Sequence, residues 1–115
     1  MVSNLLDFFP TKRFDSQIET KEAVANIAEI LSSTNLDGVM IGPYDMSGSL
    51  GVPGETTHPL VQEAEKTVIA ACKSAGKSCG TQLADFSEEN VQMAIAKGYT
   101  FIIASSDLFV LNSWA

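Results

Sequence analysis

The sequence has few positive charges and no long apolar run. Seven Lys and Arg residues stand against fourteen Asp and Glu residues, which gives a formal net charge of −7. Nucleic-acid binding depends on clustered cationic side chains, so this balance argues against a nucleic-acid partner. No apolar stretch approaches the roughly 20 residues that cross a bilayer. The first residues also lack the basic start and long apolar segment of a signal peptide. We therefore expect a cytoplasmic protein with no membrane partner.

Cysteine and histidine are also scarce. The two cysteines, Cys72 and Cys79, are spaced in a way that fits neither a Cys-x-x-Cys pair nor a four-ligand zinc set. We expect buried, reduced thiols, and a disulfide or zinc site is the less favoured alternative. Histidine is the residue type whose ordinary pKa suits proton transfer near neutrality, and the sequence has one, His58. Because it directly precedes Pro59, we interpret it as a helix start rather than a catalytic group.

What the sequence does contain is a regular alternation of strand and helix signals. Its 115 residues correspond to one domain, and a hydrophobic content of 45% is sufficient for a packed core. Buried parallel strands are predicted where short apolar runs follow glycine or polar residues. The predicted strands are residues 16–19, 37–41, 77–83 and 99–104. The predicted helices are residues 21–34, 59–75, the segment between Ser87 and Gly98, and a last turn at 107–112.

Four βα units predict a parallel sheet with right-handed crossovers. A complete (β/α)₈ barrel takes about 250 residues, so the chain corresponds either to half of such a barrel or to a small open sheet. One connection, residues 42–57, is predicted as a glycine-rich loop. A loop of this length is unusual in a compact domain and tends to be functional.

Two acidic residues follow neighbouring predicted strands. Glu19 closes the first strand, and Asp45 comes shortly after the second. The carboxyl ends of parallel strands share one rim, where ligands bind in α/β proteins. Two carboxylates brought together there repel each other unless a proton or cation lies between them. The favoured interpretation is therefore a divalent metal site, and the alternative is helix capping or ion pairing with Lys21 or Arg13.

The second strand and its exit resemble a known signature. Residues 37–51, DGVMIGPYDMSGSLG, closely resemble the signature of the HpcH/HpaI aldolase family, whose members are metal-dependent pyruvate aldolases built on a TIM barrel. The Gln-Ile-Glu-Thr strand end of that family corresponds to residues 17–20 here, and the separation of Glu19 from Asp45 also matches. The resemblance extends over about residues 16–111, whereas residues 1–15 match poorly. It implies a single partial domain across residues 1–115: an α/β fold forming the C-terminal half, four βα units, of a TIM (β/α)₈ barrel.

The resemblance also implies an activity and a set of site residues. Glu19 and Asp45 would bind Mg²⁺, or alternatively Mn²⁺ or Co²⁺. Gln17 would lie beside the bound 2-oxo acid, and the backbone N–H groups of Tyr44 and Asp45 would hold its carboxylate. The reaction implied is reversible aldol cleavage of a 4-hydroxy-2-oxo acid to pyruvate and an aldehyde, with Lewis-acid stabilisation of the enolate.

The chain departs from the family pattern in one functional respect. The acid–base histidine and the pyruvate-binding arginine of the family have no counterpart in this sequence. A homo-oligomer, or a complementing N-terminal half-barrel, is therefore the expected partner. Two alternatives stay open: a catalytically inactive fragment or assembly module, and a citrate-lyase-β-like lyase that acts on acyl-CoA thioesters.

Overall fold

A computed structural model of the chain describes residues 16–32, 36–104 and 107–111. It has an α/β fold in which strands and helices alternate along most of the sequence. The strands are β1 (Ser16–Ile18), β2 (Gly38–Ile41), β3 (Ser78–Gln82), β4 (Phe101–Ala104) and β5 (Asp107–Val110). The helices are α1 (Lys21–Ala25), α2 (Ile27–Leu31), α3 (Pro43–Ser49), α4 (Pro59–Ala75) and α5 (Glu88–Lys97). No helix in these ranges has the length and apolar character needed to cross a membrane.

The five strands form one mixed sheet in the order β1-β2-β3-β4-β5. The first four strands are parallel to one another, as the sequence predicted. The predicted last helical turn at residues 107–112 is wrong, because β5 folds back antiparallel to β4. Its side chains alternate between the two faces of the sheet: Leu108 packs with Phe101, whereas Phe109 packs with the main core. A period of two residues is the strand pattern, and burial on both faces favours it over a helical turn.

Most helix ends lie where the sequence placed them. The Thr20 hydroxyl accepts a hydrogen bond from Ala23 N at 3.1 Å, and the Ser87 hydroxyl accepts one from Asn90 N at 3.1 Å. These are N-caps, which satisfy backbone N–H groups that have no partner within the helix. Gly76 and Gly98 end α4 and α5 with φ values of 70° and 101°, in the left-handed conformation that glycine adopts readily.

Two predicted boundaries are wrong. The helix predicted over residues 21–34 is divided at Asn26 into α1 and α2. The Asn26 side chain donates to Glu22 O at 3.0 Å, a local bond of the kind that competes with regular helix geometry. The loop predicted over residues 42–57 contains α3, which starts at Pro43. Proline suits the first helical position because its missing N–H is not needed there.

The main core lies between the sheet and the helices. Apolar side chains from all five helices pack on one face of the sheet, against Ile18, Val39, Ile41, Cys79 and Ile102. The opposite face carries a smaller cluster of Phe101 and Leu108, flanked by Ile103 and Val110. Over residues 16–32, 36–104 and 107–111 the helices therefore cover one face of the sheet, unlike a doubly wound sheet, which has helices on both faces.

The two thiols are buried in the main core. Cys72 and Cys79 are free and fully inaccessible, as the sequence predicted. A hydrogen bond with Cys72, together with burial, raises the pKa of the Cys79 thiol far above its usual range. A thiol that stays protonated is a poor nucleophile and metal ligand, so Cys79 is a packing residue.

Candidate functional site

The site predicted from the sequence lies at the carboxyl ends of β1 and β2. Glu19 directly follows β1, and Gly42 directly follows β2. Gly42 N donates to Ile18 O at 3.2 Å, which fixes the exit of β2 beside the exit of β1. Asp45 lies in the first turn of α3 and reaches the same rim. Parallel pairing thus brings together two acids that are far apart in sequence.

The space next to Gly42 limits how far apart the two carboxylates can be. A Cβ atom on Gly42 would lie 3.6 Å from Glu19 Oε1 and 3.8 Å from Asp45 Oδ2. The two oxygens can be no farther apart than the sum of these distances. The Glu19 side chain is half-buried and that of Asp45 is exposed, so both are accessible from solvent. The absence of a side chain at Gly42 leaves open the space between the two acids.

Helix α3 is held firmly against this rim. The buried Ser47 hydroxyl donates to Tyr44 O at 2.5 Å and accepts from Gly54 N at 2.9 Å. Near the end of α3, the Ser49 hydroxyl accepts from Lys21 N at 3.0 Å, which ties α3 to the start of α1. These bonds fix the helix that carries Asp45 relative to the strand end that carries Glu19.

The other two residues expected to contact substrate are Tyr44 and Gln17. The first intrahelical bond of α3 runs from Met46 N to Gly42 O, so the Tyr44 and Asp45 N–H groups have no acceptor within the helix. Tyr44 as a whole is 72% exposed. Gln17 lies in β1 opposite Met40, but its side chain is outside the described part of the molecule, as is Arg13.

The carboxylates of Glu19 and Asp45 are the type of ligand that a hard divalent cation binds. Within the ranges the structure describes, no cluster of three or more His, Cys, Asp or Glu side chains could hold a metal. Glu19 and Asp45 therefore form a pair rather than a full coordination shell. Mg²⁺ commonly takes only one or two protein carboxylates and completes its shell with water and substrate. Two carboxylates at one rim match that requirement in the type and number of ligands.

A cleft of about 600 Å³ opens next to Asp45. Its walls come from the start of α3, the glycine-rich loop, the end of β3 and the facing sides of α4 and α5. The lining includes Tyr44, Asp45, Thr56, Gln82, Asp85, Met93 and Lys97. Asp45 therefore faces both the rim and the cleft, whereas Glu19 is not part of the cleft wall. A ligand bound at the rim has room to extend between the two helices.

A buried carboxylate, Glu65, forms part of the cleft wall. Its side chain is on α4, and the residue is only 3% exposed. The Lys97 ammonium lies 3.2 Å from Glu65 Oε1, Gln62 Nε2 donates to the same oxygen at 3.3 Å, and the Tyr99 hydroxyl donates to Oε2. Three donors thus compensate the cost of burying the negative charge.

The Glu65 network predicts how stability depends on alkaline pH. Burial, and next the Glu65 charge, raise the pKa of Tyr99 far above its usual range. An unfolded chain releases the tyrosine proton near pH 10, whereas the folded chain keeps it. The free energy of unfolding should therefore fall above about pH 10, by up to about 1.4 kcal/mol per pH unit. We expect Tyr99→Phe to lose this contribution and show a shallower decline in urea unfolding.

The matched control for this measurement is Tyr44→Phe, which changes an exposed tyrosine. It should follow the wild-type pH profile. Tyr99→Phe should also be less stable at neutral pH, by about 2 kcal/mol, because the buried Glu65 carboxylate loses a donor. Equal alkaline slopes for Tyr99→Phe and the wild type would show that Tyr99 ionises alike in both states.

Sequence reasoning missed Glu65, although a signal was present. Val61, Glu65, Val68 and Cys72 recur at helical spacing, and all four are buried on α4. Leu60, at the start of the same helix, is 48% exposed. The role of His58 is as predicted: its Nδ1 accepts from Leu60 N at 3.1 Å and caps α4.

Comparison with known proteins identifies a family. The sequence profile of the HpcH/HpaI aldolase/citrate lyase family matches residues 14–113. A 4-hydroxy-2-oxo-heptane-1,7-dioate aldolase from Salmonella arizonae is 38% identical over 95 residues. That alignment covers 83% of this chain and 35% of the relative. The chain thus spans about a third of the length of the curated relatives it matches.

Solved structures agree with the sequence match. An HpcH/HpaI aldolase from Desulfitobacterium hafniense superposes with a TM-score of 0.70 at 34% identity, covering 77% of this chain and 34% of that one. An HpcH/HpaI aldolase/citrate lyase family protein from Burkholderia cenocepacia gives a TM-score of 0.71 at 30% identity, covering 76% and 34%.

Proposed function

Because the chain belongs to the HpcH/HpaI aldolase/citrate lyase family, we propose that it carries the metal-binding rim of a carbon–carbon lyase. The reaction is the reversible cleavage of a 4-hydroxy-2-oxo acid to pyruvate and an aldehyde. The observation that carries this proposal is the approach of Glu19 and Asp45 to the open space at Gly42. A free thiol pair inside the core is consistent with a cytoplasmic location.

Each residue of the rim has a separate task in this proposal. Glu19 and Asp45 hold a divalent cation, Mg²⁺ or alternatively Mn²⁺ or Co²⁺, which when bound polarises the 2-oxo group. The N–H groups of Tyr44 and Asp45, at the start of α3, orient the substrate carboxylate. Gln17 lies on the neighbouring strand and contacts the 2-oxo acid. The aldehyde portion of the substrate extends into the cleft beside Asp45.

The sheet itself is proposed to be an arc of a (β/α)₈ barrel. Strands β1 to β4 are parallel and lie side by side in sequence order, and the helices pack on one face. The opposite face is apolar around Phe101 and Leu108, as the interior of such a barrel is. In this arrangement Glu19 and Asp45 lie at the carboxyl-end rim, where barrel enzymes place their active sites.

Two other functions are alternatives, and each is favoured by a particular observation. His58, the one histidine of the sequence, caps α4 and does not line the cleft, which favours a module that binds the cation without turnover. The family also includes citrate lyases, so acyl-CoA thioester cleavage is the second candidate. The Gln-Ile-Glu-Thr strand end and the Gly-Pro-Tyr-Asp segment favour the aldolase over the thioester lyase.

Pyruvate release is the direct test of the proposed function. The protein is incubated with a 4-hydroxy-2-oxo acid and Mg²⁺ or Mn²⁺, and pyruvate is measured with a coupled dehydrogenase. We expect release that stops when EDTA removes the cation. Absence of pyruvate together with cation binding supports the module without turnover. Cleavage of an acyl-CoA thioester alone supports the thioester lyase. If the protein neither releases a product nor binds a cation, the proposal is contradicted.

A further inference from the structure

The cleft beside Asp45 has the dimensions of a small-molecule site. Its volume of about 600 Å³ lies within the range of about 300–1,000 Å³ that such sites have. Asp45 belongs both to the rim and to the cleft wall, so the far end of a 2-oxo acid held at the rim enters this space. The chemistry of the wall therefore bears on which far end is accepted.

The charged side chains in the cleft wall are mostly acidic. Asp45, Glu65 and Asp85 each contribute a carboxylate, and Lys97 is the one cation among the described residues that line the cleft. The Lys97 ammonium lies 3.2 Å from Glu65 Oε1 and 3.5 Å from Glu65 Oε2. Its positive charge is therefore largely compensated by Glu65, and it attracts a second anion less strongly than an unpaired lysine would.

Asp85 gives the cleft a negative charge that is not compensated. It is an exposed residue in the connection between β3 and α5. Over residues 16–32, 36–104 and 107–111, no cationic side chain pairs with it. Asn90 Nδ2 donates to Asp85 O at 2.8 Å, which holds this connection against the first turns of α5. A divalent cation at the rim would compensate Glu19 and Asp45 but not Asp85.

Other parts of the wall offer hydrogen-bonding groups and apolar surface without charge. Thr56, Thr57 and Gln82 carry hydroxyl or amide groups, whereas Leu83 and Met93 carry apolar side chains. Hydroxyl and amide groups both donate and accept hydrogen bonds, as a ligand hydroxyl also does. Met93 is 45% exposed, so apolar surface is available to the methylene groups of a ligand. An uncharged, hydroxyl-bearing chain is the type of ligand that such a wall suits.

We propose that the cleft selects a substrate whose far end is uncharged and carries a hydroxyl group, and that Asp85 disfavours a far end that is a carboxylate. This inference rests on the proposed function, since it takes a 2-oxo acid to be bound at the rim. The curated relatives, by contrast, are named for a heptanedioate, which has a carboxylate at each end. Asp85 is thus a specificity-determining residue for the part of the substrate that becomes the aldehyde.

Two ligands of equal length that cannot be cleaved test this selection. 2-Oxoheptanedioate and 7-hydroxy-2-oxoheptanoate both lack the 4-hydroxyl group that aldol cleavage requires, and they differ only in the group at the far end. In calorimetric titrations with Mg²⁺ or Mn²⁺ present, the hydroxy acid should bind at least about tenfold more tightly, because the dioate places like charges together. The difference should shrink between about 0.01 M and about 1 M salt, because the Debye length falls from about 30 Å to about 3 Å.

Asp85→Asn should raise the affinity for 2-oxoheptanedioate by about tenfold and leave the affinity for the hydroxy acid unchanged, because it removes the opposing charge alone. Asp107→Asn is the matched control. It makes the same chemical change at an exposed residue of β5 that does not line the cleft. Both affinities should therefore stay at their wild-type values in Asp107→Asn.

Three results would overturn the proposed selection: equal binding of the two ligands, binding of neither, or tighter binding of 2-oxoheptanedioate. The last of these would assign Lys97 to the far carboxylate instead. The titrations need no turnover, so they do not depend on the pyruvate measurement. Failure of the proposed function has a different signature, which is the loss of both cation binding and pyruvate release.

Discussion

Replacing Glu19 with glutamine is expected to lower the affinity of the protein for Mg²⁺ or Mn²⁺ by more than about 100-fold. The amide retains the shape of the side chain but removes one of the two negative charges next to Gly42. Changes to groups that merely support a metal ligand already reduce affinity by about 10–100-fold. Loss of a direct ligand from a two-carboxylate site should exceed that. Calorimetric titration with each cation measures the effect.

Glu22→Gln is the matched control for this experiment. It makes the same chemical change three residues later, on the exposed surface of α1, and should leave the affinity unchanged. Asp45→Asn should reproduce the loss seen for Glu19→Gln. Gly42→Ala should also weaken binding, because its Cβ would lie 3.3 Å from Glu19 Cγ and displace that side chain. Equal cation affinities for Glu19→Gln and Glu22→Gln would refute the metal site.

Gly80→Ala is expected to destabilise the fold by about 3 kcal/mol, at the upper end of the usual range for overpacking. Gly80 is buried in β3, and the Phe101 ring lies directly over it. A Cβ at this position would be 2.2 Å from Phe101 Cε2, far inside van der Waals contact. The ring is 2% exposed and has little room to move away. Urea unfolding should show a lower midpoint with little change in slope.

Gly48→Ala is the same glycine-to-alanine change, and it is expected to have the opposite effect on stability. Gly48 lies in α3, and a Cβ there would meet nothing within 4 Å. Alanine is favoured over glycine within helices by about 1 kcal/mol, so this variant should be as stable as the wild type or more so. Gly80→Ala/Phe101→Ala should cost less than the two single changes combined, because removal of the ring relieves the clash. A midpoint for Gly80→Ala equal to that of Gly48→Ala would contradict the packing described here.

Much of the fold follows from signals that lie close together in the sequence. Thr20, Ser87, Gly76 and Gly98 mark helix ends through local chemistry, and the structure places them as expected. The segment at residues 107–112 was misassigned because its pattern is short and consistent with either a helical turn or a strand. The contact of Leu108 with Phe101 decides between them, and that contact depends on tertiary packing.

The candidate site also contains residues that could be predicted from the sequence and one that could not. Glu19 and Asp45 could be paired from sequence because parallel strands bring their carboxyl ends to one rim. Glu65 could not be assigned by residue type, since a carboxylate within a helix is usually exposed. Its burial depends on Lys97 and Tyr99, more than thirty residues away in sequence. Long-range polar networks of this kind become visible only once the helices are placed.

The burial of both cysteines makes chemical labelling of this chain selective. Cys72 and Cys79 have no exposed surface in the folded protein, so alkylating reagents can reach them only when the core opens. Their modification rate under native conditions therefore reports the frequency of that opening. A cysteine engineered on the surface would react far sooner, which allows a fluorophore to be attached at one chosen position without removing the native pair.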